Sequence, residues 1–187
     1  MSRSSSPIKL TSEDLLRLPE SHQRHELIDG EYCVTPTPTA PHQLIAARVM
    51  ISLGGYAATT GCGQLLPSVD VLISPHDLVE PDLLFLSREH VHRIRGEYFS
   101  EPPDLVIEIL SPSTRGRDLG EKLRLYEKAG VPQYWVLDGV WATARVFRLG
   151  PQGYGEGLLL SAANGGALTT PFAPGWRLPL AELFAAL

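Results

Sequence analysis

Residues 104–111 read DLVIEILS, an apolar run bounded by Asp104 and Ser111. Leu105, Val106, Ile107, Ile109 and Leu110 form the near-continuous apolar pattern of a strand covered on both faces. Glu108 interrupts it. Side chains alternate along a strand, so Glu108 shares its face with Val106 and Leu110. A carboxylate in that company is costly to bury unless a positive group meets it. The flanking sequence has to supply that group.

On the C-terminal side, SPSTRGR predicts a turn and then a helix from Arg117 to Ala129, closed by Gly130 and Pro132. Gln133–Leu137 and Ala142–Leu149 follow as strands around Asp138-Gly139, then a short strand over Ala167–Thr170 and a terminal helix over Leu180–Leu187. On the N-terminal side, TSEDLLRL predicts a short helix capped by Thr11. RHELIDGEYCVTP predicts a hairpin, because Asp29-Gly30 suits a type I′ turn. A helix over Pro41–Thr60 carries Ile45, Ala46, Val49, Met50, Leu53, Tyr56 and Ala57 on one stripe and ends at Gly61-Cys62-Gly63. Leu65–Ile73 and Glu80–Leu86 read as two strands joined by Ser74-Pro75-His76-Asp77. The fold class is mixed α/β (α+β), with helices laid against one sheet.

A chain of 187 residues, 43% hydrophobic and 20% charged, is expected to form one domain over 1–187, with residues 1–10 frayed. Cys33 and Cys62 lack metal-site spacing. MSRSSSPIKL has no signal-peptide core and no run reaches spanning length, so a cytoplasmic protein without a membrane partner is expected. The net charge of −5 argues against a protein built wholly around nucleic acid, though a local basic groove can sit on an acidic body.

Asp82, Asp104 and Glu108 are the acids near the central strand. Asp104 and Glu108 lie roughly 13 Å apart along it, too far to share one ion. Asp82 opens another strand and can face Glu108 from the side. On the following helix Leu119, Leu125, Tyr126 and Ala129 define the inner arc, and Arg117, Gly120, Glu121, Arg124, Glu127 and Lys128 the outer one. Lys122 falls inside the arc, with Asp118 at its edge. Two readings follow. Glu108 and Lys122 can be a structural ion pair. Alternatively, Asp82, Glu108 and a backbone carbonyl, that of Ile109, can hold Mg²⁺ (or Mn²⁺ in its place), with Lys122 orienting water or offsetting charge on phosphorus.

HELIDGEY, His42, EPDLLFL and PPDLVIEILSPSTRGRDLGEKLRLYEKAGVPQYWVLD together closely resemble the Uma-type family of putative restriction endonucleases, within the PD-(D/E)XK nuclease superfamily. The resemblance spans roughly residues 12 to 150 and implies a restriction-endonuclease-like fold and Mg²⁺-dependent phosphodiester hydrolysis. It places the motif's aspartate at Asp82 and its second acid at Glu108. The usual lysine position holds Leu110 instead, and the resemblance implies a lysine moved to the next helix, where Lys122 lies. It also makes Glu26 a candidate accessory acid, on a par with its reading as a solvated hairpin charge, and His42, with Asp118, a candidate auxiliary group, although a lone histidine on that helix face is more often a core residue.

Arg115 and Arg117, close to the expected site, are candidates for nucleic-acid contact. Arg88, His90, His92, Arg93 and Arg95 form a second cationic segment, and Ser111, Ser113 and Thr114 suit the helix entry turn. Three functions compete: a DNA endonuclease, expected as a homodimer so that two sites meet two strands; a non-catalytic binding or assembly protein on the same fold; and a hydrolase of small phosphoesters.

Overall fold

The computed structural model describes residues 9–19, 23–96 and 98–187. The expected fraying of residues 1–10 lies outside the described residues up to residue 8. Leu10 itself donates its N–H to the Gly30 carbonyl at 3.0 Å. Twelve strands are described: β1 (Arg24–Ile28), β2 (Glu31–Thr35), β3 (Gly63–Pro67), β4 (Val71–Ser74), β5 (Asp77–Val79), β6 (Leu83–Ser87), β7 (Leu105–Ile109), β8 (Gln133–Asp138), β9 (Thr143–Arg148), β10 (Leu158–Ser161), β11 (Ala167–Leu168) and β12 (Leu178–Pro179). The helices are α1 (Ser12–Leu16), α2 (Ala40–Val49), α3 (Gly55–Thr60), α4 (Arg115–Asp118), α5 (Glu121–Lys128) and α6 (Leu180–Leu183).

The apolar run of 104–111 becomes β7, second of the two innermost positions in a six-stranded sheet ordered β10-β9-β8-β7-β6-β3. Only the β7–β8 pairing in it is parallel. That crossover is made by α4 and α5, which return the chain to the start of β8. Alternation then sorts the core. Leu105, Ile107 and Ile109, with Leu83 and Phe85, pack against Ile45 and Val49 of α2, Leu53 of the segment that follows it and Ala57 of α3, and against α6. Val106, Leu84 and Leu86 pack on the other face with Leu125, Tyr126 and Tyr134. Glu108 belongs to this second face by parity.

The mixed α/β fold with helices flanking a six-stranded mixed sheet is as expected, and a second sheet joins it. A four-stranded antiparallel sheet, β2-β1-β5-β4, contributes Ile28, Val71 and Val79 to the second core layer. The strand expected over Leu65–Ile73 is two strands in different sheets. Ser68, at φ +41°, turns the chain out of the first sheet, and Asp82 holds the turn by accepting the Ser68 N–H on its carbonyl at 3.2 Å. The strand expected over Glu80–Leu86 likewise starts at Leu83, and Asp77–Val79 pairs with β4 and β1. Pro67-Ser68 and Asp70 interrupt the first stretch and Pro81 the second, and the chain turns from one sheet to the other at these breaks.

The helix expected over 41–60 is continuous, with a π-helical segment at Met50–Gly54. Gly61, at φ +67°, ends it. The hairpin turn also forms as expected, with Asp29 and Gly30 both at positive φ and Ile28 opposite Glu31. The terminal helix stops at Leu183. β11 is only Ala167–Leu168, paired with β12.

Gly63 lies where β3 meets β6 at closest approach: a Cβ there would sit 2.3 Å from the Leu86 carbonyl oxygen and 2.5 Å from the Phe85 ring. Backbone on one side and a core ring on the other leave nothing to yield. Gly63→Ala is therefore expected to lower stability by about 2 kcal/mol, read as a reduced urea midpoint with unchanged slope. A midpoint equal to wild type would mean that β3 can shift freely.

Candidate active site

Four segments carry acids and cations to one place. The register of β6 on β7 sets Leu83 opposite Ile107, and one step further brings Asp82 beside Glu108. The Asp82 carboxylate accepts the Ile109 N–H on Oδ2 at 2.8 Å, and the Asp82 N–H makes a long contact, 3.4 Å, to Glu108 Oε2. α5 lays Lys122 over this pair: its Nζ is 2.9 Å from Glu108 Oε1 and 2.7 Å from Glu26 Oε1, and the residue is 3% exposed. Tyr126, one turn later on the same stripe, donates its hydroxyl to Glu108 Oε1 at 3.0 Å.

Glu26 comes from β1 of the small sheet and is buried, so it is not a solvated hairpin charge. It also accepts the Glu80 N–H at 3.1 Å. Glu31, across the turn, is exposed. His42, in the first turns of α2, places Nε2 3.1 Å from Asp82 Oδ2. Its buried Nδ1 has no hydrogen-bond partner among the described residues. An ionised carboxylate can only accept, so His42 presents its Nε2–H to Asp82.

The helix expected from Arg117 to Ala129 is two helices, and the break matters. Gly120, at φ −126° and ψ −83°, interrupts it, in contact so close that a Cβ would lie 2.8 Å from the Gly116 carbonyl oxygen. The wheel that put Arg117 on the outer face assumed one continuous helix. Arg117 instead turns inward, with Nη1 3.7 Å from Glu26 Oε2 and 3.4 Å from Thr35 Oγ1. Asp118 is buried 3.9 Å from Lys122. Arg115 stays at the rim, half exposed and bonded to Asp138 at 2.6 Å.

Arg24, on β1, is a further member of the site. It pairs with Asp82 Oδ1 at 2.8 Å and with Glu80 at 3.3 Å. Its signal was legible: strand period two sets Arg24 on the same face as Glu26. By contrast, the cationic segment at 88–95 sits at the opposite end of β7. There His90 is held by Asp104, 2.8 Å, and Arg93 by Glu101, 3.0 Å.

These groups line a cavity of about 210 Å³ bounded by Arg24, His42, Asp82, Glu108, Asp118 and Lys122 and by the loops around Pro36 and Pro112. Five carboxylates, those of Glu26, Glu80, Asp82, Glu108 and Asp118, face three permanent cations, Arg24, Arg117 and Lys122. The electrostatics follow. Burial pushes the Glu108 carboxyl up to about 8; Lys122 opposes this, and Asp82, Asp118 and Glu26 reinforce it. Burial also works against the Lys122 ammonium, but Glu108, Glu26 and Asp118 outweigh it and hold its pKa above the ordinary lysine value. For Asp82, hydrogen bonding and charge from His42 and Arg24 overcome burial and keep it at about 2.

Among the described residues no group of three or more His, Cys, Asp or Glu side chains could hold a metal ion. An ion here would rest on Asp82 and Glu108, with the Ile109 carbonyl and water completing the shell. Hard oxygen donors with several water positions suit Mg²⁺, and Glu108 Oε2, with its one long contact, is the least engaged oxygen of the pair.

A model of the Uma2 family, described as "Putative restriction endonuclease", matches residues 12–181. The chain belongs to the Uma2 family. The fold is also similar to a crystal structure from Anabaena variabilis described as that of a putative nuclease belonging to DUF820. That match has a TM-score of 0.81 at 23% sequence identity, over 94% of this chain and 97% of that one. No curated protein matches the sequence. No helix among the described residues is long and apolar enough to cross a membrane.

Two measurements follow from the Uma2 cluster. Lys122→Ala strands Glu108 and Glu26 without their shared cation and is expected to cost about 3–5 kcal/mol at pH 8, measured by denaturant unfolding. The second concerns pH. Glu108 has an ordinary value of 4.5 when unfolded and about 8 when folded, so the folded chain binds more protons between those values. Its contribution is complete below 4.5 and is lost as pH rises through 8. With chelator present, stability is expected to fall from pH 5 to 8.5, and Glu108→Gln to flatten that slope. Parallel slopes for the two proteins would mean that Glu108 is ionised throughout.

Proposed function

We propose that this protein is a Mg²⁺-dependent endonuclease that hydrolyses phosphodiester bonds of DNA, with Mn²⁺ able to replace Mg²⁺. The observation that carries the reading is the meeting of two buried carboxylates, Asp82 and Glu108, in one cavity, with the Lys122 ammonium 2.9 Å from Glu108. Asp82, Glu108 and the Ile109 carbonyl would hold the ion. When bound, it would supply Lewis-acid stabilisation of the phosphoryl oxygens and lower the pKa of a coordinated water.

The chain's own residues do the rest. Lys122 stays protonated, so it is a donor and a fixed charge rather than a base. From beside Glu108 it orients water and offsets charge developing on phosphorus. Glu26 and Asp118 are positioning residues that act through Lys122, and Tyr126 holds Glu108 in its rotamer. His42 fixes the Asp82 carboxylate from the side away from Arg24. Arg115, half exposed and paired with Asp138, is the more accessible of the two arginines to a backbone phosphate, whereas Arg117 is turned inward toward Glu26 and Thr35.

A second reading, a non-catalytic binding or assembly protein, is favoured by one feature: both Asp82 oxygens are already engaged, by Arg24 and by His42 and the Ile109 amide. The two readings part on plasmid and single-stranded DNA incubated with Mg²⁺ or Mn²⁺. The nuclease reading expects cleavage that Asp82→Asn and Lys122→Ala each reduce at least about 100-fold. Cleavage surviving both substitutions would discard this site, and no cleavage with either ion would favour the binding protein.

A further inference from the structure

Arg24 stands where an ion would have to be. Its Nη1 lies 2.8 Å from Asp82 Oδ1, a full charge-assisted bond between groups whose side chains are 14% and 5% exposed. Asp82 Oδ2 is no freer, since it takes the Ile109 N–H and His42 Nε2. The Ile109 donor is part of β7 and cannot leave, and His42 is held by α2. The guanidinium is different. It ends a flexible stem, and its other holds are weaker and lie outward: Nε is 3.3 Å from Glu80 Oε1, and Nη2 is 3.3 Å from Ser68 Oγ.

Arg24 also forms part of the wall between the site cavity and an open groove of about 300 Å³ lined by Thr35, Thr37, Gln43, Ser68 and Glu80. A rotation about its outer torsions would carry the guanidinium off Asp82 into that groove while Glu80 and Ser68 remain its neighbours. Resting on the reading that Asp82 binds a divalent cation, we propose that Arg24 is a placeholder on Asp82. It neutralises the carboxylate in the metal-free protein and is displaced into the Thr35–Ser68 groove when the ion binds. Arg24 and the ion compete for the same oxygen, so apparent metal affinity is reduced by the fraction of molecules in which Arg24 remains bound. Once displaced, its forked donors face the groove adjoining the site, a position suited to a phosphate of the bound strand.

The test is calorimetric titration of Mn²⁺ into wild type, Arg24→Gln, Arg117→Gln and Asp82→Asn. Arg117→Gln removes the same charge from the same network without touching Asp82. Arg24→Gln is expected to bind Mn²⁺ about tenfold more tightly than wild type, Arg117→Gln to change affinity much less, and Asp82→Asn to abolish binding. Equal gains from the two arginine variants would reduce the effect to general charge and overturn the displacement, as would Arg24→Gln binding no tighter than wild type. In both cases the metal reading stands. No binding by wild type or Arg24→Gln would overturn the metal reading and the displacement together. The wild-type Arg24 side-chain Nε–H resonance provides a second measurement that does not depend on the folding of any variant. Mg²⁺ is expected to shift it and speed its exchange with water, and an unmoved resonance would refute displacement.

Discussion

One ammonium group organises this protein. Lys122 is almost wholly enclosed, yet it touches Glu108 from the central sheet and Glu26 from the small sheet and lies within 4 Å of Asp118 from the preceding helix. Charges of this kind are expensive to desolvate, and removing one partner leaves the others uncompensated. The arrangement therefore couples three parts of the chain: α5 cannot rotate, β1 cannot slide, and β7 cannot change register without exposing a bare charge. Hydrophobic layers hold the elements together, but they are permissive about small displacements. The ion cluster specifies which displacement is allowed.

The same cluster is chemically unbalanced. Surplus carboxylate in a closed site is relieved by protons, by cations or by strain. Here the surplus divides unevenly: Asp82, with Arg24 and His42 beside it, stays ionised, while Glu108, whose burial Lys122 does not fully offset, is driven toward its protonated form. Two neighbouring carboxyls with opposite shifts are a common device of catalytic sites. Membership of the Uma2 family is consistent with that interpretation.

Much of this architecture was legible beforehand. Glu108 stood out because a charge broke an apolar strand, and Lys122 because 3.6-residue spacing sent it inward from a helix of otherwise outward charges. Both arguments use local periodicity, which survives whatever the rest of the chain does. A helical wheel places Arg117 outward only for a helix unbroken through Gly120, and the chain breaks there. The two-sheet arrangement is marked in the sequence only by Pro67-Ser68 and Asp70, a polar break between Leu65-Leu66 and Val71–Ile73 that shows an interruption without showing that the chain changes sheets there. Arg24 was overlooked because its partner, Asp82, is 58 residues away and belongs to a different element.

From sequence alone came the strand around Glu108, the Asp29-Gly30 hairpin, the inward face of Lys122 and the family likeness that points to Asp82. These depend on backbone period, turn sterics and motif, all encoded within a few residues. Tertiary structure decided that Glu26 is buried, that Arg24 covers Asp82 and that Arg117 reaches into the cluster. Each of those depends on how one sheet packs against another, and the Coulomb energy of a pair depends on that distance and on the water packing excludes.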